Sequence, residues 1–192
     1  MAKTSDPHAA AIKSWQTRAR NAGGGGVVQQ RKDWVDPQIA EALEDWGNGY
    51  GPAYKEGRKP LTPHGRRMTK ALKTLPVFRG KFYRGMNMKT AEVEALVAGK
   101  VFTVKKHSSA SKKRDEALMF MDDQAARGRR QVLLTVEGRG RDYSASKAGK
   151  EFREDEVVLM AGTKLRVVSV RRVNEGMTSV DDLFYITVRE VR

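Results

Sequence analysis

The chain of 192 residues contains no cysteine. That excludes disulfides and zinc–thiolate sites and suits a cytoplasmic protein. Histidine is scarce as well. His8, His64 and His107 are scattered, with no histidine or acidic partner at ligand spacing, so no metal is expected. No apolar run approaches the length of a membrane span, and the N-terminus lacks the apolar centre of a secretion signal. No membrane partner is therefore expected. Acidic residues are under-represented: 23 against 37 basic ones, a formal charge of +14. Such an excess attracts nucleic acid, anionic ligands or acidic proteins, and it speaks of partners rather than fold. Aromatic residues are few, at 7%.

What remains suits a globular domain: 39% hydrophobic and 31% charged residues, enough length for one core with an N-terminal appendage. Residues 1–33 read as that appendage, a basic and flexible arm. Ala9–Arg20 suits a short basic helix, and Gly23–Gly26 interrupts any regular element. Only one aromatic interleaves with its charges, so a solubilising tail is favoured over a nucleic-acid docking arm. Residues 34–192 read as the catalytic or binding domain.

Asp36 and Pro37 mark a helix start, and Ile39, Ala42, Leu43 and Trp46 fall on one face. Tyr50 and Tyr54 are expected in the following loop. Thr62-Pro63 begins a second helix with Met68, Ala71, Leu72 and Leu75 as its stripe. From Lys81 the pattern turns to short strands: Phe82–Gly85, Val101–Val104, Gln131–Val136, Glu156–Met160, Lys164–Val173 and Leu183–Val191. Two helices interrupt them. In Lys89–Ala98, Val93, Leu96 and Val97 face inward. In Arg114–Arg127, Ala117, Leu118, Met121 and Ala125 do. Gly138–Gly149 is expected to be a polar loop. Strands mostly not separated by helices imply an α+β fold.

Three short motifs carry chemistry. Tyr83-Arg84-Gly85 places a guanidinium at a strand end, suited to gripping phosphate, beside a glycine that admits close approach. Ser109-Ala110-Ser111 sits between an extended segment and a helix, where hydroxyls orient a carboxylate or cap the helix. Glu154-Asp155-Glu156 enters the apolar run Val157–Met160, with both glutamates on one face if the strand has begun. Taken singly, an acidic turn, a cap and an Arg-Gly pair explain each of them.

In this order and context, the motifs resemble those of the arginine-type mono-ADP-ribosyltransferases, which include toxins and phage-encoded enzymes. That family carries an aromatic-Arg-Gly, a Ser-Thr-Ser and a Glu-x-Glu running into apolar residues and Gly-Thr. Here these are Phe82–Gly85, Ser109–Ser111 with Ala117 and Phe120 behind it, and Glu154–Leu159 with Gly162-Thr163. Alanine replaces the middle threonine, and Ala161 stands where proline is frequent. The resemblance implies a split β-sandwich of two small sheets with N-terminal helices, and cleavage of NAD without a metal. It implies that Arg84 binds NAD phosphate or ribose, and that the Gly85 backbone holds the nicotinamide carboxamide. Ser109 would position Glu156, with Ser111 nearby. Glu156 would hold the ribose and stabilise developing positive charge, and Glu154 would orient or deprotonate the acceptor. Phe152 would recognise the target and Tyr143 would stack on nicotinamide, although packing roles explain both as well.

The expected activity is transfer of ADP-ribose from NAD to arginine side chains of a target protein, in a bacterial or host cytoplasm, with virion delivery one route. The charge of +14 keeps open a nucleic-acid or ribonucleoprotein acceptor, with RNA or DNA held on the basic surface. It also keeps open a non-enzymatic basic nucleic-acid-binding or virion protein, whose binding would weaken steeply with salt.

Overall fold

A computed structural model describes residues 36–49, 51–121, 129–152, 155–173 and 183–191, with backbone alone for 151–152. Three helices precede the sheet. Helix α1 (Pro37–Gly47) starts where Asp36 Oδ1 accepts the Gln38 amide at 3.0 Å, and it buries Ala42 and Trp46. Helix α2 (Pro52–Gly57) places Tyr54 in a helix rather than a loop. Pro52 presets its first turn, but six residues are too few to show an apolar stripe. Helix α3 (Pro63–Thr74) is capped by Thr62, which accepts the Gly65 amide at 3.0 Å.

Strand β1 (Val77–Lys89) is followed by helix α4 (Thr90–Ala98), β2 (Val101–Thr103), β3 (Ser108–Ser111) and the short helix α5 (Arg114–Leu118). Strand β4 (Arg129–Asp142), a 3-10 turn (Tyr143–Ala145) and helix α6 (Lys147–Phe152) lead to β5 (Glu156–Leu159), β6 (Lys164–Val173) and β7 (Leu183–Glu190). The expected helix over 114–127 ends at Leu118, with Met119 at its C-cap, and the segment 122–128 lies outside the described residues. Of the two residues that follow the serine motif, Ala117 is buried and Phe120 is 65% exposed. On α4, Val93 is buried as expected, whereas Val97 is exposed.

Strand order is β1-β3-β5-β4-β7-β6-β2, and β1 pairs with β4 as well. This antiparallel pair runs from Val77↔Arg141 to Lys89↔Arg129. The opposite edge of β4 is divided. Gln131–Glu137 pairs with β7, and Arg141–Asp142 pairs with β5. The seven strands therefore form one hydrogen-bonded sheet rather than the expected two small ones, and within it β1, β3, β5 and β4 close on one another. The expected loop from Gly138 is therefore partly strand. Gly140 serves a close approach: a Cβ there would lie 2.3 Å from Val157 Cγ1. Glycine in this strand marks tight packing, not a turn.

Two cores lie on either side of β5. Phe82, Val93, Val132, Leu134, Val136, Val157, Leu165, Ile186 and Val188 fill the sandwich. Trp46, Met68, Ala71, Leu72, Tyr143 and Val158 fill the layer between helices and sheet. Alternation sends Val157 to the first core and Val158 to the second. Burial on both faces explains why β5 reads as an unbroken apolar run.

Candidate functional site

Glu156 opens β5, two residues before Val158, so its side chain leaves toward the helical layer. Its cross-strand partner is Ser111, and Ser109 lies opposite Val158. Directly opposed residues share a face, so Ser109, Ser111 and Glu156 all face the helices while Ala110 and Val157 enter the sandwich core. In that layer the indole Nε1 of Trp46 donates to Glu156 Oε1 at 2.9 Å. Trp46 is 2% exposed and meets Tyr54 edge-on, with ring centroids 5.2 Å apart.

Arg84 lies two residues beyond the buried Phe82 on β1, on the same strand face, and its Nη1 donates to the carbonyl of Ser109. Arg58, from the C-terminal end of α2, stands over the Tyr54 ring at 5.6 Å. Burial and the charge of Arg58 push the Arg84 guanidinium down to about 10, while Tyr54 and Glu156 favour its charged form. Arg84 is therefore still a cation at neutral pH. Arg84 is thus tied to the Ser109 backbone, with Arg58, Tyr54 and Glu156 near enough to act on its charge. Trp46, Tyr54 and Arg58 come from the helices.

Several assignments change. Glu156 receives its hydrogen bond from Trp46, not from Ser109 as expected. Ser111 donates to Glu116 at 2.7 Å and accepts the Lys113 amide at 2.9 Å, so its hydroxyl fastens α5 rather than facing a ligand. Tyr143 does not stack on a ligand. It is fully buried, and its hydroxyl donates to the Leu43 carbonyl at 2.8 Å, anchoring α1. Gly85 faces α5, where a Cβ would lie 1.9 Å from the Ala117 carbonyl. Helix packing therefore requires this glycine, whatever its backbone binds. Asp155 pairs with Lys113 at 2.5 Å. Glu154 lies outside the described residues, as does the Phe152 side chain.

His107 is a further surprise. It is fully buried, and its Nδ1 accepts the Ala161 amide at 3.1 Å. The proton must then sit on Nε2, 2.8 Å from Thr69 Oγ1, whose own hydroxyl donates to the Gly65 carbonyl at 2.7 Å. Its backbone exchanges hydrogen bonds with Arg58, His107 N to Arg58 O and Arg58 Nε to His107 O, both at 3.0 Å. The imidazole thus ties α3, the segment before β3 and the β5–β6 turn together as a neutral group. Burial and the charges of Arg58 and Lys73 lower its pKa to about 4. The unfolded chain takes up this proton near pH 6.5, and the folded one only near 4. Stability is whole above pH 6.5 and falls as pH drops between these values, by about 3 kcal/mol in total. Urea unfolding at pH 7 and at pH 4.5 measures this loss. His107→Gln should remove most of the difference.

Among the described residues, no group of three or more His, Asp or Glu side chains is placed to hold a metal ion. No described helix is long and apolar enough to cross a membrane. No model of a known family and no curated protein matches the sequence. Solved structures do. The Vis toxin of Vibrio splendidus, an ADP-ribosyltransferase, superposes with a TM-score of 0.63 at 19% identity, over 100% of this chain and 88% of that one. Vis has also been solved in complex with agmatine. The type III effector XopAI of Xanthomonas axonopodis pv. citri gives 0.56 at 17% identity, covering 97% of this chain and 77% of its own. Exoenzyme S of Pseudomonas aeruginosa, solved with human 14-3-3 protein beta and carba-NAD, gives 0.51 at 18%, over 94% and 82%. The chain has the fold of the ADP-ribosyltransferases.

Proposed function

We propose that the chain is an NAD-dependent mono-ADP-ribosyltransferase that transfers ADP-ribose to an arginine side chain of a target protein and releases nicotinamide. The observation that carries this reading is Arg84 anchored on the Ser109 backbone with the Glu156 carboxylate near enough to favour its charged form. Two adjacent cations, Arg84 and Arg58, suit a diphosphate, because an anion relieves their mutual repulsion. Glu156 is held by Trp46 through one carboxylate oxygen, and its other oxygen is the one to meet a ribose hydroxyl.

The chemistry needs little more. When the C1′–N bond breaks, its electron pair leaves with the nicotinamide ring, which departs neutral, so no general acid is required. Positive charge grows on the ribose, and a fixed carboxylate lowers the energy of that state. A guanidinium nitrogen of the acceptor forms the new bond to C1′ and gives up a proton. Glu154 is our candidate to receive that proton, and Phe152 our candidate for target recognition. Structurally similar Vis has been crystallised with agmatine, which carries a guanidinium, and this supports an arginine-like acceptor. Exoenzyme S has been crystallised with carba-NAD and a protein, 14-3-3. An effector acting on proteins inside a bacterial or host cell fits these neighbours.

Labelled NAD, incubated with the chain and a cell lysate, tests the acceptor. Label should survive nuclease and disappear with protease, and agmatine should compete for it. Label that disappears with nuclease instead would move the acceptor to nucleic acid.

A further inference from the structure

Trp46 is buried between the helical core and the site, where an indole N–H needs a partner. That partner is Glu156 Oε1, at 2.9 Å, from a residue 110 positions away. Opposite Glu156 on β3, Ser111 spends its hydroxyl proton on Glu116. The support for the carboxylate therefore comes from a helix, not from the neighbouring strand. We infer that Trp46 is the positioning residue of Glu156: its N–H fixes one carboxylate oxygen and aims the other at the substrate.

The support of Trp46 is itself continuous. Tyr143 donates to the Leu43 carbonyl, one turn before Trp46 on α1, and Asp36 caps the start of that helix. Tyr54 packs edge-on against the indole. A hydrogen bond to a charged group is short, directional and stronger than a neutral one. Its loss frees the carboxylate to rotate, and this should reduce turnover while leaving the diphosphate contacts intact.

This inference rests on the proposed transferase reading, and the experiment separates the two. Trp46→Phe keeps an aromatic ring and removes the N–H. Nicotinamide release by this variant should fall about tenfold to a hundredfold in kcat with KM for NAD little changed. In a Glu156→Gln background, Trp46→Phe should cost far less. Wild-type kcat in Trp46→Phe, or an equal loss in the Glu156→Gln background, would overturn the role.

A second measurement needs neither activity nor a tryptophan variant that folds. The indole N–H resonance of Trp46 in the full chain should shift markedly upfield in Glu156→Ala. An unmoved resonance overturns the inference even in an active enzyme. If wild type releases no nicotinamide, the transferase reading falls, while the resonance still decides the hydrogen bond.

Discussion

Glu156→Gln is expected to lower nicotinamide release from NAD by about a hundredfold to a thousandfold, with the fold intact. The substitution keeps shape and keeps a carbonyl oxygen for the Trp46 N–H, which is 2.9 Å from Oε1 in the wild type. What it removes is the charge. Glu156 enters a strand whose next three residues, Val157, Val158 and Leu159, are all buried, so the backbone around it has little freedom to move away. A carboxylate held that firmly does not reorganise when positive charge develops beside it, which is the condition under which electrostatic stabilisation is largest. KM for NAD should change far less than kcat, because Arg84 and Arg58 are untouched. Release measured side by side in wild type and variant is the check. Equal rates would remove Glu156 from the mechanism.

Gly85→Ala is expected to destabilise the fold by about 3 kcal/mol, a drop in Tm on the order of 10 °C. The added Cβ would lie 1.9 Å from the Ala117 carbonyl and 2.9 Å from Met121 Cγ. The nearer atom is backbone, so rotating a side chain cannot relieve the collision. Either α5 moves away from β1 or β1 bends, and β1 is pinned along its whole length by thirteen residue pairs with β4. Helix α5 gives more easily, and Ser111 would lose its contacts to Lys113 and Glu116 as it does. Thermal unfolding followed by circular dichroism measures the shift. A variant as stable as wild type, with a raised KM for NAD, would instead assign Gly85 to ligand approach.

The two predictions show where sequence reasoning reached its limit. The motif around Arg84 and Gly85 is legible only through its order with Ser109–Ser111 and Glu154–Glu156, because arginine beside glycine is common on its own. The motif does not say which of the two needs the glycine, ligand or helix. The packing of β1 against Ala117 answers that. Tyr143 illustrates the same limit. Serines and glycines surround it, so its neighbourhood reads as exposed loop, yet the ring lies wholly within the helical core. A 3-10 turn of three residues leaves no periodicity that would betray such burial. His107 likewise lacks a sequence neighbour with which it forms a recognisable motif. Its partners Thr69 and Ala161 are 38 and 54 residues away.

Local chemistry along the chain was enough to determine the helix starts at Asp36-Pro37 and Thr62-Pro63 and the strand-rich second half. Capping, proline placement and alternation act over a few residues, and those few residues are visible in the string. Tertiary structure alone decided who supports Glu156. Trp46 reads in the sequence as one apolar position of an amphipathic helix, and so it is, by its ring. Its N–H became part of the site because α1 packs over β5 and leaves a buried donor that only a carboxylate from a distant strand is there to satisfy.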